Sequence, residues 1–377
     1  MKGSPGDRSQ LRRSAHVVAY WRHGQLVIRN YATDTTTRAN SLVFALLEFC
    51  SEWRTRREIE QVLGVRSPAL VLKLVRLLTK QSLLERSDEL QDPRERAMSA
   101  LDRWNPEAGF FHTATKNVRF WSPQEAARHA RRQAREQRMP ATQKRYPAAP
   151  RVDLPKPGDG AFARVALDRR TWRRFSSTPM SLDDLATILG LSAGVQKWVH
   201  IGDCDVPLKT SPSGGARQPV EAYVVARDVR GLDPGIYHYA GDRHALERLR
   251  KGVSAKQIRA YVPHSGYFAG ASALVLFTAI FERQLWRYPY SRAYRAALVE
   301  VGHVCQTFCL AATSLGLASF SVMGLADSVI ERDLGIDGIG ESVLYAAGVG
   351  RPPAGATWAP LPRGRLSVRD NPRLRRS

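Results

Sequence analysis

The sequence predicts an α+β protein in which a small winged-helix-like domain precedes a larger domain. Three observations support this: short helices cluster near the N-terminus, a polar and proline-rich stretch follows, and strands then alternate irregularly with helices. At 377 residues the chain exceeds one average domain and can bury a substantial core. We expect a winged-helix-like docking module at 1–86, a helical and proline-rich linker at 87–157, and the second domain at 158–377.

The N-terminal module is predicted from a hairpin and two or three amphipathic helices. AHVVAYWRHGQLVIRNY is typical of two strands that turn at Gly24, and apolar residues recur at helical spacing in SLVFALLEF and ALVLKLVRLLTKQSLLE. The last helix would present Lys73, Arg76 and Lys80 to DNA phosphates if the module bound DNA. No base-reading Asn or Gln lies among these positions, so we expect a module that docks protein or peptide.

The second domain begins with a capped helix. In MSLDDLATILG, Ser181 stands at the N-cap and Asp184 follows three residues later. Strands are predicted at 220–226 and at IYHY, and the almost wholly apolar ASALVLFTAIF is typical of a central strand covered on both faces. A helix over about 292–316 is apolar nearly all round, so it should lie inside the molecule or a dimer.

The order of these elements excludes a simple Rossmann repeat. SVLYAAGVG is predicted to be the closing strand of the domain. The strands and helices do not alternate regularly, and the GxGxxG fingerprint of dinucleotide-binding folds is absent. We therefore expect an α+β domain.

The chain is strongly basic, with a formal net charge of +22. Such a charge favours an anionic partner, which could be nucleic acid, a membrane surface, a phosphate-bearing cofactor or an acidic peptide. The basic residues are spread along the whole chain, which favours a solvated surface over a stripe that binds nucleic acid. We expect no nucleic-acid partner.

Neither a metal site nor a membrane span is expected. The four cysteines lack CxxC spacing and histidines at zinc-ligand spacing, and Cys305 with Cys309 is interpreted as two small core residues. The N-terminal residues contain no apolar signal region, and Glu300, His303 and Gln306 interrupt the longest apolar stretch. We expect a soluble, cytoplasmic protein.

Two segments of the second domain could bind a cofactor. In TSPSGGARQP, the paired Gly214 and Gly215 can take positive φ and carry no Cβ, so backbone N–H groups there can face a flat or anionic ligand. The earlier segment RRTWRRF, 169–175, places four guanidinium groups and a hydroxyl within seven residues. Arginines at this density can hold a phosphate by forked hydrogen bonds.

These segments carry a resemblance to a known family. RRTWRRFS, SPSGGARQPVEAYVV, GIYHY, RAYRAALVEVGHVCQTFCLAATSLGL and LYAAGVGRP resemble successive motifs of the flavin-dependent nitroreductase fold. More narrowly, they resemble the SagB/McbC-type dehydrogenases, which oxidise azolines in ribosomal peptides to azoles. The resemblance is strong over roughly 160–353, and WNPEAGFFHTATK resembles the leader half of the same subfamily. It implies a nitroreductase-like, three-layer, FMN-binding domain.

The resemblance also implies a set of cofactor ligands. The residues that would hold the FMN phosphate and the carbonyl edge of the ring are Arg169, Arg170, Thr171 and Arg173. The residues that would pack on the isoalloxazine across a subunit interface are Pro212, Ser213, Gly214 and Gly215. In addition, Met323 and Gly324 would bring backbone N–H groups toward the flavin, and Arg351 would reach the phosphate.

The family's proton-transfer pair differs in this chain. The resemblance implies a Lys-Tyr pair, and the matching positions are Arg287 and Tyr288. A desolvated lysine can act as a base, whereas an arginine side chain effectively never loses its proton. Arg287 could therefore orient the substrate or stabilise negative charge, and Tyr288 could take the proton if the guanidinium favoured its phenolate. Alternatively, Arg287 is a solvated substitution and Tyr288 a packed aromatic residue.

Three further residues in this part of the sequence are not assigned to proton transfer. His303 is expected to be a hydrogen-bonded core histidine, whereas Tyr290 and Tyr294 could line the substrate cleft.

The function expected from the sequence is FMN-dependent dehydrogenation of a peptide-derived substrate by a homodimer, with oxygen reoxidising the flavin. The N-terminal module would grip a leader peptide or a cyclodehydratase partner, and the positive charge would suit an acidic leader. Two alternatives stay open. One is a nitroreductase or ene-type reductase that uses NAD(P)H, and the other is a cofactor-free docking protein on the same fold.

Overall fold

The structure is a computed structural model of the chain. It describes residues 9–63, 68–101, 103–137, 140–141, 143–144, 148–155, 158, 160–201, 204–263 and 270–356. The chain forms two compact units. The first comprises Met1–Lys116, Phe281–Arg295 and Ile336–Ser342, and the second comprises Asn117–Ile280, Ala296–Gly335 and Val343–Ser377. The boundaries at 86 and 157 that the sequence suggested stay a prediction.

The first unit combines two small sheets with short helices. Its strands are β1 (Gln10–Arg13), β2 (Val17–Arg22), β3 (Gln25–Asn30), β4 (Thr35–Arg38), β5 (Arg54–Thr55) and β6 (Leu84–Arg86). Its helices are α1 (Ser41–Phe49), α2 (Arg56–Leu63), α3 (Pro68–Lys80), α4 (Pro93–Ser99), α5 (Pro106–Ala114) and α10 (Phe281–Arg287). The sheet orders are β5-β1-β6 and β2-β3-β4.

Local sequence explains the first hairpin. Strands β2 and β3 are joined by His23 and Gly24 alone, which have φ of 52° and 74°. Two consecutive residues with positive φ match the twist of the flanking strands, and glycine adopts this conformation without strain. The predicted hairpin around Gly24 is therefore confirmed.

The helical prediction for this region is confirmed as well. One apolar face of α1, α2 and α3 packs together in a core that includes Leu46, Ile59 and Leu78, each at most 1% exposed. The assignment of the N-terminal module as winged-helix-like stays a prediction.

A buried polar network joins β3, α4 and the segment between β1 and β2. The Glu95 carboxylate accepts hydrogen bonds from Ser14 Oγ at 2.7 Å and from the side chains of Asn30 and His16. Burial raises the pKa of Glu95, but the hydrogen bonds from His16, Asn30 and Ser14 outweigh it and lower the pKa below its usual range. The network links segments about eighty residues apart in sequence.

The second unit is built around one six-stranded sheet. Its strands are β7 (Met180–Ser181), β8 (Lys197–Ile201), β9 (Cys204–Leu208), β10 (Val220–Ala226), β11 (Val229–Arg230), β12 (Gly235–Ala240), β13 (Ala245–Lys251), β14 (Ala273–Ile280), β15 (Ala318–Val322) and β16 (Glu341–Gly350). Its helices are α6 (Pro123–Glu136), α7 (Ala161–Asp168), α8 (Leu182–Ala193), α9 (Ala255–Tyr261), α11 (Arg292–Ser314) and α12 (Asp327–Leu334). Both α11 and β16 begin within the sequence ranges of the first unit.

Strand β14 lies inside this sheet, whose order is β13-β12-β10-β14-β16-β15. Every residue of β14 except Ile280 is buried, which confirms the predicted central strand. It pairs antiparallel with β10 from Val220↔Ala279 to Ala226↔Ala273. Antiparallel strand pairs and helices interspersed between the strands confirm the α+β class.

Helix α8 begins where the sequence predicted. The Ser181 hydroxyl accepts a hydrogen bond from Asp184 N–H at 3.1 Å, and it thereby satisfies one of the backbone donors left free at a helix start.

Helix α11 confirms the predicted long helix. One face packs in the core through residues such as Val304 and Phe308, whereas Leu298 and Val299 on another face are exposed. By length and hydropathy this helix, alone among those that the structure describes, could cross a membrane, but half of its apolar window is buried in the protein. His303 is exposed on α11, so its prediction as a core histidine was wrong, because an apolar helix does not reveal which side faces inward.

Candidate cofactor site

The arginine segment follows α7 and runs beside β15. The N–H of Arg169 caps α7 by donating to the carbonyl of Val165 at 3.0 Å. Thr171 then pairs in parallel with Ser319, and Trp172 N–H donates to the Ser319 carbonyl at 2.9 Å. These bonds fix the direction in which the segment leaves the helix.

Aromatic packing holds the same segment against the sheet. The ring of Phe175 lies 5.7 Å from that of Phe320, edge to face. Gly348 on the neighbouring strand makes room for this pair, because a Cβ there would overlap the Phe320 ring. Gly350 is constrained in the same way, since its Cβ would approach Phe175 Cδ1 to 3.1 Å.

Three of the four arginines in this segment lack a neutralising carboxylate among the residues that the structure describes. Arg170 donates from Nη1 to the carbonyls of Leu167 at 2.5 Å and Arg169 at 2.7 Å. Across the described residues, no carboxylate forms an ion pair with Arg169, Arg170 or Arg174. Arg173 is exposed. A group of guanidinium ions without counter-charges suits a phosphate ligand.

Arg351 lies at the other end of the same segment. Its carbonyl accepts a hydrogen bond from Ser176 N–H at 2.8 Å. The structure therefore brings Arg351, which directly follows β16, next to the arginine segment. Its guanidinium, however, donates from Nε to the Pro179 carbonyl at 3.2 Å and lies 3.4 Å from Asp184 Oδ2. Its contact with a phosphate stays a prediction.

The glycine loop forms a tight turn directly before β10. Gly214–Ala216 is a 3-10 turn, in which Gly215 has φ 58° and ψ 22°, within the left-handed region. Pro212 and Gly215 are exposed, whereas Ser213 and Gly214 are half-buried. Inside the loop, Ser213 Oγ accepts a hydrogen bond from Gln218 N–H at 2.9 Å.

Helix α11 anchors this loop at two points. Gly214 N–H donates to Glu300 Oε1 at 2.8 Å, and the hydroxyls of Ser211 and Thr307 lie 3.1 Å apart. The Gly214 donor is therefore engaged within the protein, which leaves Gly215 as the exposed glycine of the pair. The sequence analysis did not predict this contact of Glu300. The signal that could have revealed it is a single carboxylate within an otherwise apolar helix.

The same helix also reaches the arginine segment. A hydrogen bond from the Cys305 thiol lowers the pKa of Cys309, and the Arg169 guanidinium acts in the same direction against the effect of burial. Both cysteines are buried and free, which agrees with their interpretation as core residues. Glu300 and Cys309 are nine residues apart, or about 13 Å along a helix. Helix α11 thus joins both parts of the predicted site.

Met323 and Gly324 lie in the loop between β15 and α12. Met323 is 75% exposed. At Gly324 a Cβ would lie 3.6 Å from the Phe120 ring, which is ordinary contact. The approach of their backbone N–H groups to a flavin stays a prediction.

The predicted catalytic pair lies in the first unit, at the end of α10. Arg287 is the last residue of this helix and is exposed, and it has no ion-pair partner within the described parts of the chain. Tyr288 is half-buried, and its N–H donates to the Gln284 carbonyl at 2.8 Å. Its ring centre lies 6.1 Å from that of the exposed Tyr290.

Tyr294 belongs to the core of the first unit. It is 7% exposed, and its hydroxyl lies 3.2 Å from Nδ1 of the buried His112. Burial, with a smaller effect from Lys116, lowers the pKa of His112 to about 4, so the imidazole is neutral near pH 7. Its Nε2–H therefore donates to the Gly338 carbonyl at 2.9 Å, and Nδ1 accepts from Tyr294. Tyr294 is a packed residue rather than part of an open cleft.

The donor set of the second unit fits FMN. Arg169, Arg170 and Arg174 supply positive charge and have no carboxylate partner within the described ranges, and Gly215 offers exposed backbone without a side chain. A phosphate and a flat, polar-edged ring system need these features. A metal ion has no comparable set of ligands here, because the described residues contain no group of three or more His, Cys, Asp or Glu side chains.

Comparison with known proteins identifies the same region. The family described as "Nitroreductase family" matches residues 166–351, a range that begins just before the arginine segment and ends at Arg351. The protein of Methanocaldococcus jannaschii named "Putative nitroreductase MJ1384" is 33% identical over 185 residues, which cover 49% of this chain and 89% of that protein.

Two further relatives are peptide-processing proteins by name. The trifolitoxin-processing protein TfxB of Rhizobium leguminosarum bv. trifolii is 31% identical over 174 residues, which cover 44% of this chain and 46% of that protein. The microcin B17-processing protein McbC of Escherichia coli is 30% identical over 131 residues, which cover 33% of this chain and 48% of that protein. The chain spans about half the length of these two relatives.

Proposed function

This chain belongs to the nitroreductase family, and on that premise we propose that it is an FMN-dependent oxidoreductase that dehydrogenates azoline rings in peptide-derived substrates to azoles. The observation that carries the proposal is its similarity, at 31% and 30% identity, to two proteins named for the processing of trifolitoxin and microcin B17. In the matched region, Arg169, Arg170 and Arg174 have no carboxylate partner among the described residues, which supports the cofactor. The reaction would take place in the cytoplasm.

The second unit would hold the cofactor. Arg169, Arg170, Thr171 and Arg173 would together hold the FMN phosphate and the carbonyl edge of the ring. Arg351 joins them by exchanging its contact with Asp184 for the phosphate, while Met323 and Gly324 border the ring. When held there, FMN would supply a two-electron acceptor for the azoline, which would lose a hydride from one ring carbon and a proton from the neighbouring carbon, with oxygen as the final electron acceptor.

Tyr288 and Arg287 would manage the proton. Arginine keeps its own proton at any physiological pH, so Arg287 stabilises the negative charge that develops on the substrate or on the tyrosine. Tyr288, with its side chain in the phenolate form that the guanidinium favours, would then receive the proton and become the neutral phenol. The exposure of Arg287 and the half-buried position of Tyr288 leave both side chains accessible to a substrate.

The active form would be a homodimer with the flavin at the subunit interface. On α11, Leu298 and Val299 are 39% and 56% exposed, and in the loop before α12 Met323 is 75% exposed. Large apolar side chains that stay exposed in an isolated chain favour an interface. The glycine loop from Pro212 to Gly215 would pack on the isoalloxazine bound by the partner subunit.

The N-terminal module would bind a leader peptide or a cyclodehydratase partner. A groove of about 580 Å³ in the first unit runs along β6, which is an edge strand and could accept an extended peptide. The charged residues that line it are Arg12, Arg86, Glu85, Glu89, Asp92 and Glu95. Carboxylates outnumber guanidinium groups there, so an acidic leader would have to contact basic surface outside this groove.

The alternative reading is a reductase that takes electrons from NAD(P)H. The 89% coverage of the putative nitroreductase MJ1384 and the replacement of the expected lysine by Arg287 favour it.

Incubation of the FMN-loaded protein with an azoline-containing peptide in air tests the proposal: mass spectrometry should show loss of two hydrogen atoms per ring, with formation of hydrogen peroxide. An unchanged peptide, together with rapid NAD(P)H oxidation, would establish the reductase instead. A protein that takes up no FMN would support a docking role alone.

A further inference from the structure

Helix α11 buries a carboxylate at a point where the helix is otherwise apolar. Glu300 is 6% exposed, and the adjacent Val301 is 5% exposed. Removal of a carboxylate from water is costly unless hydrogen bonds compensate for the lost hydration. If this position served only the packing of α11, an apolar residue would stabilise the fold at least as well as glutamate. The hydrogen bonds of the carboxylate are therefore the feature to explain.

Gly214 supplies the contact that matters for the cofactor site. Its N–H donates to Glu300 Oε1 at 2.8 Å, and a bond to an ionised acceptor is stronger than one between neutral groups. Thr307 follows two helical turns later on the same side of α11, and its hydroxyl lies 3.1 Å from that of Ser211. The glycine loop is thus fixed along one side of the helix.

The loop needs such fixation because its backbone is strained. Gly215, Ala216 and Gln218 have φ of 58°, 53° and 46°, all in the left-handed region. Glycine tolerates this region, but alanine and glutamine occupy it only when surrounding contacts compensate for the strain. If Gly214 were released, the loop would relax toward more favourable backbone angles, and Gly215 would lose its present orientation.

We propose that Glu300 is a positioning residue of the flavin site, which acts through Gly214 rather than by touching the cofactor. Its carboxylate holds the strained loop in the shape that presents Gly215 to the ring. The identity of the ligand rests on the proposed function, but the link between Glu300 and the loop exists without any ligand. The two can therefore be tested separately.

Hydrogen–deuterium exchange on the full, FMN-free chain tests the link directly. In Glu300→Ala the amides of 211–218 should exchange about tenfold faster or more, because Gly214 N–H loses its acceptor. Glu300→Gln keeps an acceptor oxygen at the same place and should stay within about threefold of the wild type. Glu331→Ala removes another buried carboxylate of the same unit, at 4% exposure, and should leave the loop unchanged.

Titration with FMN gives the second readout. Glu300→Ala should weaken FMN binding about tenfold or more, whereas Glu300→Gln should bind within about threefold of the wild type. Thr307→Val releases the other anchor without leaving a buried charge, so it provides an independent test if Glu300→Ala fails to fold. It should also speed loop exchange and weaken FMN binding.

Three results would overturn this inference: unchanged loop exchange in both Glu300→Ala and Thr307→Val, undiminished FMN affinity in a Glu300→Ala protein whose wild type binds FMN, or equal losses in Glu300→Gln and Glu300→Ala. If the wild type binds no FMN, the proposed function fails, and the exchange data still decide whether Glu300 holds the loop.

Discussion

The N–H of Trp172 donates to the carbonyl of Ser319 at 2.9 Å, and this bond fixes the arginine segment beside β15. Arg169, Arg170 and Arg174 have no carboxylate partner in the described structure, so ion pairs of their side chains do not anchor the segment. Backbone pairing to a strand holds the charges together despite their mutual repulsion. Such an arrangement is suited to an anion that arrives from solution.

Substitution of Arg170 should therefore impair cofactor binding. We expect Arg170→Ala to weaken FMN binding about tenfold, because one charge-assisted contact to the phosphate is lost. Fluorescence titration of the FMN-free protein measures the change. Arg259→Ala, which removes an exposed arginine of α9, is the matched control and should bind like the wild type. Equal affinities for all three proteins would show that the segment does not hold the phosphate.

If Tyr288 receives the proton, its substitution should slow azoline oxidation without changing FMN binding. Tyr288→Phe should slow azoline oxidation about a hundredfold or more while FMN content stays unchanged, because the group that receives the proton is gone. Arg287→Ala should slow the reaction less, since it removes only electrostatic support. Tyr290→Phe is the control on a neighbouring exposed ring. Steady-state rates with the peptide give the comparison, and wild-type turnover in Tyr288→Phe would remove this residue from the mechanism.

The neutral His112 predicts a loss of stability in acid. The pKa of the imidazole is about 4 in the folded protein against 6.5 for the unperturbed group, so the unfolded chain binds the proton first as pH falls. The stabilisation is complete above pH 6.5 and is lost between 6.5 and 4, by up to roughly 3 kcal/mol. Thermal unfolding of the wild type and His112→Gln across this window should show diverging pH dependence. Parallel curves would contradict the neutral, buried imidazole.

His238 predicts the opposite trend in the second unit. Its Nε2 lies 3.0 Å from Glu221 and its Nδ1 lies 2.9 Å from Glu247, on neighbouring strands. The hydrogen bond with Glu221, supported by Glu247 and opposed by burial, raises the pKa of His238 to about 9 from 6.5. The pairing stabilises the fold fully below pH 6.5 and is lost as pH rises through about 9.

His238→Ala makes this trend measurable. The melting temperature of the wild type should exceed that of His238→Ala at pH 6, and the difference should shrink toward pH 9.5. A difference that grows with pH would show that the imidazole is not held in its charged form.

Sequence alone predicted the elements whose signals are local. The continuous apolar run of β14 and the capping residue Ser181 need no knowledge of distant segments, and both were predicted correctly. The contact between Glu300 and Gly214 joins residues 86 positions apart and depends on where the loop meets α11. His303 was misassigned for a related reason, because periodicity in an almost uniformly apolar helix does not identify the buried face.

In the candidate site, too, local features could be predicted from the sequence and tertiary contacts could not. The composition of the arginine segment and the paired glycines could be recognised directly, since phosphate binding and close backbone approach require those residue types. That Ser176 bonds the Arg351 carbonyl, and that the Arg351 guanidinium lies against Asp184, depends on the course of β16 and α8 in three dimensions. Tertiary contacts of this kind decide which predicted ligands are ready to bind.

One anaerobic measurement tests the central claim that this protein oxidises peptide azolines through its flavin. FMN-loaded protein would be mixed with an azoline-containing peptide in one experiment and with NADPH or NADH in another, and the visible absorbance of the flavin would be followed. The proposed function predicts that the peptide bleaches the flavin, that one azole forms for each flavin reduced, and that the nicotinamides act much more slowly. Rapid bleaching by NAD(P)H with no response to the peptide would contradict it.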